Sequence, residues 1–161
     1  MLNQNLPDRI GILNDGRMPI LLLFASLILI PPIPGSTNVK DFYLPIDTYA
    51  AGHRGVDFLS TFGTPVLSAA DGIVTHSGFI ANRWTITVTH ENLRTTYEPV
   101  KPIVKFGEKI NQGQVIGYLQ QIGSHCFPES CLHFGLKEGK NYLNPNTYSF
   151  KKYPRLLPLY S

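Results

Sequence analysis

The sequence predicts an all-β domain, a sandwich or barrel of short strands, and three observations carry that expectation. Glycine and proline are abundant, at 14 and 13 of 161 residues, while charged residues make up only 16%. A coiled coil or long helical bundle would be rich in Ala, Glu, Lys and Leu and more charged. Turn signals recur about every 8 to 12 residues from Thr37 onward, the spacing of short strands in a sandwich or barrel. No window of helical length in that stretch carries the 3.6-residue apolar period.

The elements follow in order. Residues 19–30 (PILLLFASLILI) form an uncharged apolar run preceded by Arg9 and Arg17 and followed by Pro31-Pro32-Ile33-Pro34-Gly35-Ser36. A bilayer span needs about 20 apolar residues, so the run is short for an anchor and suits an export signal. Residues 1–36 are therefore read as an export signal or N-terminal membrane anchor, and 37–161 as one domain outside the membrane. PVLSAA (65–70) and GIVTHS (72–77) read as strands, with Ser77-Gly78 as a turn signal. Residues 84–89 (WTITVT) alternate as a half-buried strand does, and LRTTY (93–97) pairs with it through a His90-Glu91-Asn92 turn. VIGYL (115–119) and CLHFGL (131–136) are further strands. The tail from Phe150 is interrupted by proline and reads as irregular surface chain.

Charge narrows the partners. A net charge of +3 is mildly basic, yet Lys and Arg are not concentrated in one stretch beyond Lys151-Lys152, which argues against nucleic acid. Two cysteines are too few for a disulfide scaffold. A monomer is expected.

Three side chains form a chemical constellation: His53 and Asp57, in an H-x3-D spacing, and His133 in a later strand. Two imidazoles and a carboxylate suit a zinc ion with an open fourth position, the catalytic rather than the structural pattern. Gly55, between the first two, is expected to let the backbone turn so that both face one point. The competing reading is a surface histidine near a glycine turn and an aspartate capping it.

His53-Arg-Gly-Val-Asp57-Phe-Leu, Gly63-Thr-Pro-Val-Leu-Ser-Ala-Ala-Asp-Gly-Ile-Val, Gly107-x5-Gly113-Gln-Val-Ile-Gly117 and Leu132-His133-Phe-Gly-Leu occur in that order. Over roughly residues 43–148 this series resembles the M23 family, the lysostaphin-type zinc endopeptidases of bacterial cell walls. The resemblance implies an antiparallel β-sandwich of the barrel-sandwich hybrid type, with a groove over Zn2+. It implies His53, Asp57 and His133 as zinc ligands, peptidoglycan as substrate, and attack of activated water on a peptide carbonyl. It also implies an extracytoplasmic location, secreted or envelope-associated.

The sequence departs from the family pattern at two auxiliary histidines. Cys131 stands where the first histidine of an H-x-H motif is expected, and Pro99 where a Tyr-x-His motif has its histidine. Tyr97-Glu98-Pro99-Val100, His125-Cys126 and Cys131-Leu132-His133 together resemble a secreted, actinobacterial-type branch of the family. His125 is the candidate substitute, as general base or oxyanion donor. Arg94, Tyr97 and Glu98 are candidate groove residues.

Cys126 and Cys131 enclose four residues, and in an exported protein they are expected to form a disulfide that pins the His125 loop beside the His133 strand. A thiolate ligand at Cys131 is the competing reading, since residues 131 and 133 share a strand face. His76 is expected to face solvent and His90 to sit in a turn or at the groove edge. Trp84 fits either the core or the groove rim. Two functions remain: a zinc endopeptidase acting on peptidoglycan, favoured by the intact triad, and a catalytically silent wall-binding or regulatory module, favoured by the missing histidines.

Overall fold

A computed structural model describes residues 28–45 and 50–148. Eleven strands and one short helix follow one another: β1 (Thr37–Lys40), β2 (Val56–Ser60), β3 (Pro65–Leu67), β4 (Gly72–Ile80), β5 (Arg83–His90), β6 (Leu93–Glu98), β7 (Val100–Pro102), β8 (Lys109–Ile110), β9 (Val115–Leu119), β10 (Ser130–Glu138), β11 (Asn141–Leu143) and α1 (Pro145–Tyr148). The larger sheet runs β1-β2-β10-β6-β5-β4-β8, with β11 added to β10, and the smaller one runs β3-β9-β7. Each strand pairing is antiparallel. The all-β antiparallel expectation holds.

The two sheets share one core. Val56, Phe58, Ile86, Leu132 and Phe134 of the larger sheet join Val66, Val100, Ile116 and Leu119 of the smaller one. Gly117 marks how closely the layers approach: a side chain there would come within 3.1 Å of Ile86 Cδ1 and 2.5 Å of the Lys101 carbonyl oxygen. Alternation along β5 supplies this face, since Ile86 and Val88 are fully buried while Thr87 and Thr89 are only partly covered.

Two turns differ from expectation. β4 runs straight through Ser77-Gly78 to Ile80, and the chain reverses at Ala81-Asn82 instead, with φ of 48° and 62°. Both residues are left-handed, as a two-residue hairpin matched to the twist of its strands requires. The next hairpin turns on Glu91-Asn92, so His90 is the last residue of β5, paired with Leu93.

Most of the apolar run 19–30 lies outside the described residues, as does the tail from Phe150. Its end does not: Leu29 and Ile33 are buried in the domain core, and Ile30 N–H donates to the Ala69 carbonyl at 2.9 Å. Among the described residues no helix is long and apolar enough to cross a membrane.

Candidate metal centre

Register assembles the site. Asp57 on β2 lies opposite His133 on β10, and His133 lies opposite Glu98 on β6. Directly opposed residues of antiparallel strands share a face. The row ends on β5, where Thr85 Oγ1 donates to Glu98 Oε2 at 3.2 Å. His53 enters from the chain before β2, where a bridge to Tyr43 with backbone bonds of 2.7 and 2.8 Å holds it.

Three donor atoms converge. His53 Nε2 and His133 Nδ1 lie 3.0 and 2.8 Å from Asp57 Oδ1, and 3.0 Å from each other. His53 Nδ1 donates to the Asp41 carbonyl at 2.8 Å, which leaves Nε2 with its lone pair aimed inward. An imidazole lone pair and a carboxylate thus meet a second imidazole nitrogen in a buried space, an arrangement that calls for a cation. Two imidazoles and a carboxylate are a zinc donor set, so the residues fit that metal. Burial alone would raise the Asp57 pKa, but hydrogen bonds from His125 and His133 and the charges of His133 and His53 outweigh it. The carboxyl is held far below the usual carboxylate range and stays ionised.

Gly55 is required for a reason other than backbone freedom. Its φ is not positive, but a side chain there would approach the Phe134 carbonyl oxygen to 2.5 Å and the His133 ring to 2.7 Å. The glycine makes room for the imidazole.

His125 belongs to the same cluster: one ligand atom each from His53, Asp57, His125 and His133 all lie within 4.8 Å of one another. Its Nδ1 is 3.4 Å from Asp57 Oδ2 and its Nε2 is 3.3 Å from Arg83 Nη1. The loop is tied down by the Cys126–Cys131 disulfide and by the Ser124 hydroxyl, which accepts the N–H groups of Cys126 and Cys131 at 3.1 and 2.9 Å. The bonded pair rules out a thiolate ligand at Cys131. A cleft of about 260 Å³ opens over the cluster, lined by Gly52, Arg54, Glu98, Gly135 and Tyr142 beside the three histidines.

The other candidates separate. Glu98 lines the cleft, but Tyr97 does not: it is fully buried, taking the Ala69 N–H on its hydroxyl at 2.8 Å with Thr95 Oγ1 at 3.0 Å. Arg94 is exposed opposite Lys137, four residues along the strand from Glu98, and does not line the cleft. His90 is not a turn residue but a buried link, with Nδ1 2.6 Å from the Asp71 carbonyl and Nε2 2.7 Å from Thr95 Oγ1. His76 is half-buried rather than solvent-facing, and its Nε2 is buried without a partner among the described residues. Trp84 stands edge-on to Phe79 at 5.4 Å in a separate surface hollow with Phe62 and Ile122. Sequence reasoning missed Arg83, Thr85, Arg54 and Tyr142.

Known proteins resemble the chain over this domain. An uncharacterized protein of Mycobacterium tuberculosis is 34% identical over 71% of this chain and 48% of its own length. The peptidoglycan DD-endopeptidase ShyC of Vibrio cholerae is 32% identical over 64% of this chain and 24% of its own. The chain thus spans about half or less of the length of these relatives. Among solved structures, Helicobacter pylori Csd3 superposes with a TM-score of 0.64 at 25% identity, over 78% of this chain and 36% of that one. The lysostaphin catalytic domain of Staphylococcus simulans shares the fold with a TM-score of 0.61 at 23% identity, over 70% of this chain and 91% of that one. The model of peptidase family M23 matches residues 51–145, more than half of the sequence, and the chain belongs to that family.

Proposed function

We propose that the protein is a zinc metalloendopeptidase that hydrolyses peptide bonds in bacterial peptidoglycan. The convergence of His53 Nε2, Asp57 Oδ1 and His133 Nδ1 beneath an open cleft carries this reading. The name of the Vibrio cholerae relative, a peptidoglycan DD-endopeptidase, supports the substrate. Zinc held by the three residues supplies a Lewis acid that polarises a peptide carbonyl and acidifies water. His53 through Nε2 and His133 through Nδ1, once the proton shared there with Asp57 is released, would hold the ion, and Asp57 would contribute the compensating negative charge. His125 is the catalytic residue beside them, exchanging a hydrogen bond or proton with the reacting oxygen through Nδ1. Glu98, held by Arg83 and Thr85, forms the acidic wall of the groove. On this reading the domain works as a monomer outside the cytoplasm, with the N-terminal segment before the core-packed Leu29 serving export or anchoring.

The test is a zymogram on purified cell walls, with and without chelator, paired with a zinc determination. Clearing that depends on zinc is the expected result, and clearing that survives chelation refutes the mechanism. One observation favours a second reading, a silent wall-binding module: Pro99 and Cys131 stand where the family's auxiliary histidines are expected. Stoichiometric zinc without clearing would support that module.

A further inference from the structure

Four side chains surround the metal-holding point, and all four could ligate. A ligand set that fills four positions makes a closed structural site, whereas catalysis needs one position open. The distinction turns on His125, and Arg83 decides it. A guanidinium only donates. At 3.3 Å from His125 Nε2, Arg83 Nη1 therefore requires Nε2 to accept, which leaves the neutral ring with its proton on Nδ1. Nδ1 itself lies 3.4 Å from Asp57 Oδ2, within reach of a weak hydrogen bond. To ligate through Nδ1 the ring would have to move its proton to Nε2, against the guanidinium.

We propose that Arg83 is a positioning residue that locks His125 as its Nδ1–H tautomer, keeping it a hydrogen-bond donor beside the metal rather than a fourth ligand. The inference rests on the zinc-peptidase reading. Arg83 is itself well held. Its Nη1 is 3.3 Å from Glu98 Oε1, and Thr85 Oγ1 binds the other carboxylate oxygen at 3.2 Å. The His125 loop is seated directly on the arginine stem. Gly123, at φ 87°, comes so close that a side chain there would meet Arg83 Cβ at 2.8 Å. Arg83 and Thr85 lie two apart on β5 and so share the face that carries Glu98. Glu98, Arg83, His125 and Asp57 thus form a chain of alternating acceptors and donors. Its last proton, on Nδ1, faces Asp57 Oδ2 beside the metal-holding point.

The experiment compares the full chain with Arg83→Met, Arg83→Lys, His125→Ala and Arg83→Met/His125→Ala. Histidine 15N chemical shifts of the metal-free protein read the tautomer. Wild type is expected as Nδ1–H, Arg83→Met as a mixture, and Arg83→Lys, which keeps a donor, as largely restored. A zinc competition titration reads coordination. Loss of an ordinary outer-shell partner costs about 10–100-fold in metal affinity; Arg83→Met, which instead frees a fourth ligand, is expected to act in the opposite direction and bind zinc about tenfold tighter. The double variant should lose that gain. The cobalt form of Arg83→Met should show the stronger visible absorption of a four-ligand site. An unchanged tautomer and unchanged zinc affinity in Arg83→Met would overturn the proposal. So would a wild type in which His125→Ala weakens zinc as much as His133→Ala does. A protein that binds zinc but clears no cell wall would refute the enzyme reading and leave these results able to decide for or against Arg83.

Discussion

Replacing Gly55 by alanine adds one methyl group at the tightest point of the site. That methyl would stand 2.5 Å from the Phe134 carbonyl oxygen and 2.7 Å from His133 Nε2 and Cε1. Neither neighbour yields easily, since Phe134 O belongs to the ladder of β10 and the His133 ring is held by Asp57 and His53. The backbone itself accepts alanine, because Gly55 has no positive φ, so the perturbation is purely steric. Overpacking of this kind costs about 1–3 kcal/mol, or roughly 4–12 °C in Tm for a domain of this size. The imidazole is the softer neighbour, so the ring should tilt away and its nitrogen leave the convergence point. Disturbing the orientation of a ligand lowers metal affinity about 10–100-fold. Thermal unfolding of the metal-free protein measures the first effect and a zinc competition titration the second. A Gly55→Ala protein with the wild-type Tm and wild-type zinc affinity would refute the packing argument.

Four further outcomes are expected of the same fold and site. Tyr97→Phe strands the buried Ala69 N–H and should cost about 1–3 kcal/mol in chemical denaturation; it should leave cell-wall clearing per folded molecule unchanged, and a selective loss of clearing would return Tyr97 to the groove. Burial holds His90 below the ordinary histidine range, only partly opposed by its bond to the Asp71 carbonyl. The unfolded chain therefore takes up protons first: the His90 contribution to stability is complete above about pH 6.5 and is lost as pH falls through the lower folded value. His90→Gln should flatten the stability profile below that pH relative to wild type, and parallel profiles would contradict the assignment. Reducing the Cys126–Cys131 bridge opens so small a ring that global stability should fall by about 2 kcal/mol or less; clearing should fall far more, because His125 loses its anchor, and equal activity of the two redox forms would count against that. A chain shortened to begin at Thr37 loses the buried Leu29 and Ile33, each worth about 1.5–3 kcal/mol of burial, so it should unfold earlier than one beginning at Ile28.

The three proposed ligands were legible through the ordered resemblance to M23 segments, because an H-x3-D spacing is short and common and His133 alone reads as an ordinary strand histidine. What the sequence left open was parity. Adjacent strand residues point to opposite faces, so Tyr97 and Glu98 cannot both line the cleft. Only the pairing of Glu98 with His133 shows which one does. Arg94 has the parity of Glu98, but four residues of strand carry it about 13 Å away. Arg83 escaped for a related reason. The turn expected at Ser77-Gly78 would pair β4 and β5 in another register, whereas the hairpin at Ala81-Asn82 sets Ile80 opposite Arg83 and Phe79 opposite Trp84. Neither Ala81 nor Asn82 is a strong turn signal, though asparagine tolerates the left-handed conformation. His90 was misread because a polar residue at a strand end looks solvated until its two buried partners are known.

The disulfide explains how a site can lack a histidine in its strand and still have one in space. Cys131 and His133 are two apart on β10, so the cysteine side chain projects from the same face as the His133 ring. The resemblance to M23 peptidases gives a histidine at that point. Here the position carries a sulfur bonded to Cys126, and the residue next to Cys126 is His125, whose ring centroid lies 4.8 Å from that of His133. A covalent link of fixed reach replaces a side chain, and the imidazole arrives from the loop instead of the strand. Such a tether sets distance but not ring orientation. The loop therefore needs a second constraint, and the Arg83 contact at Nε2 supplies one that a strand histidine would not require. On the proposed reading the cysteine pair, the loop histidine and the arginine act as one unit. Replacing Cys131 alone by histidine should accordingly break the tether of the His125 loop without reproducing the arrangement.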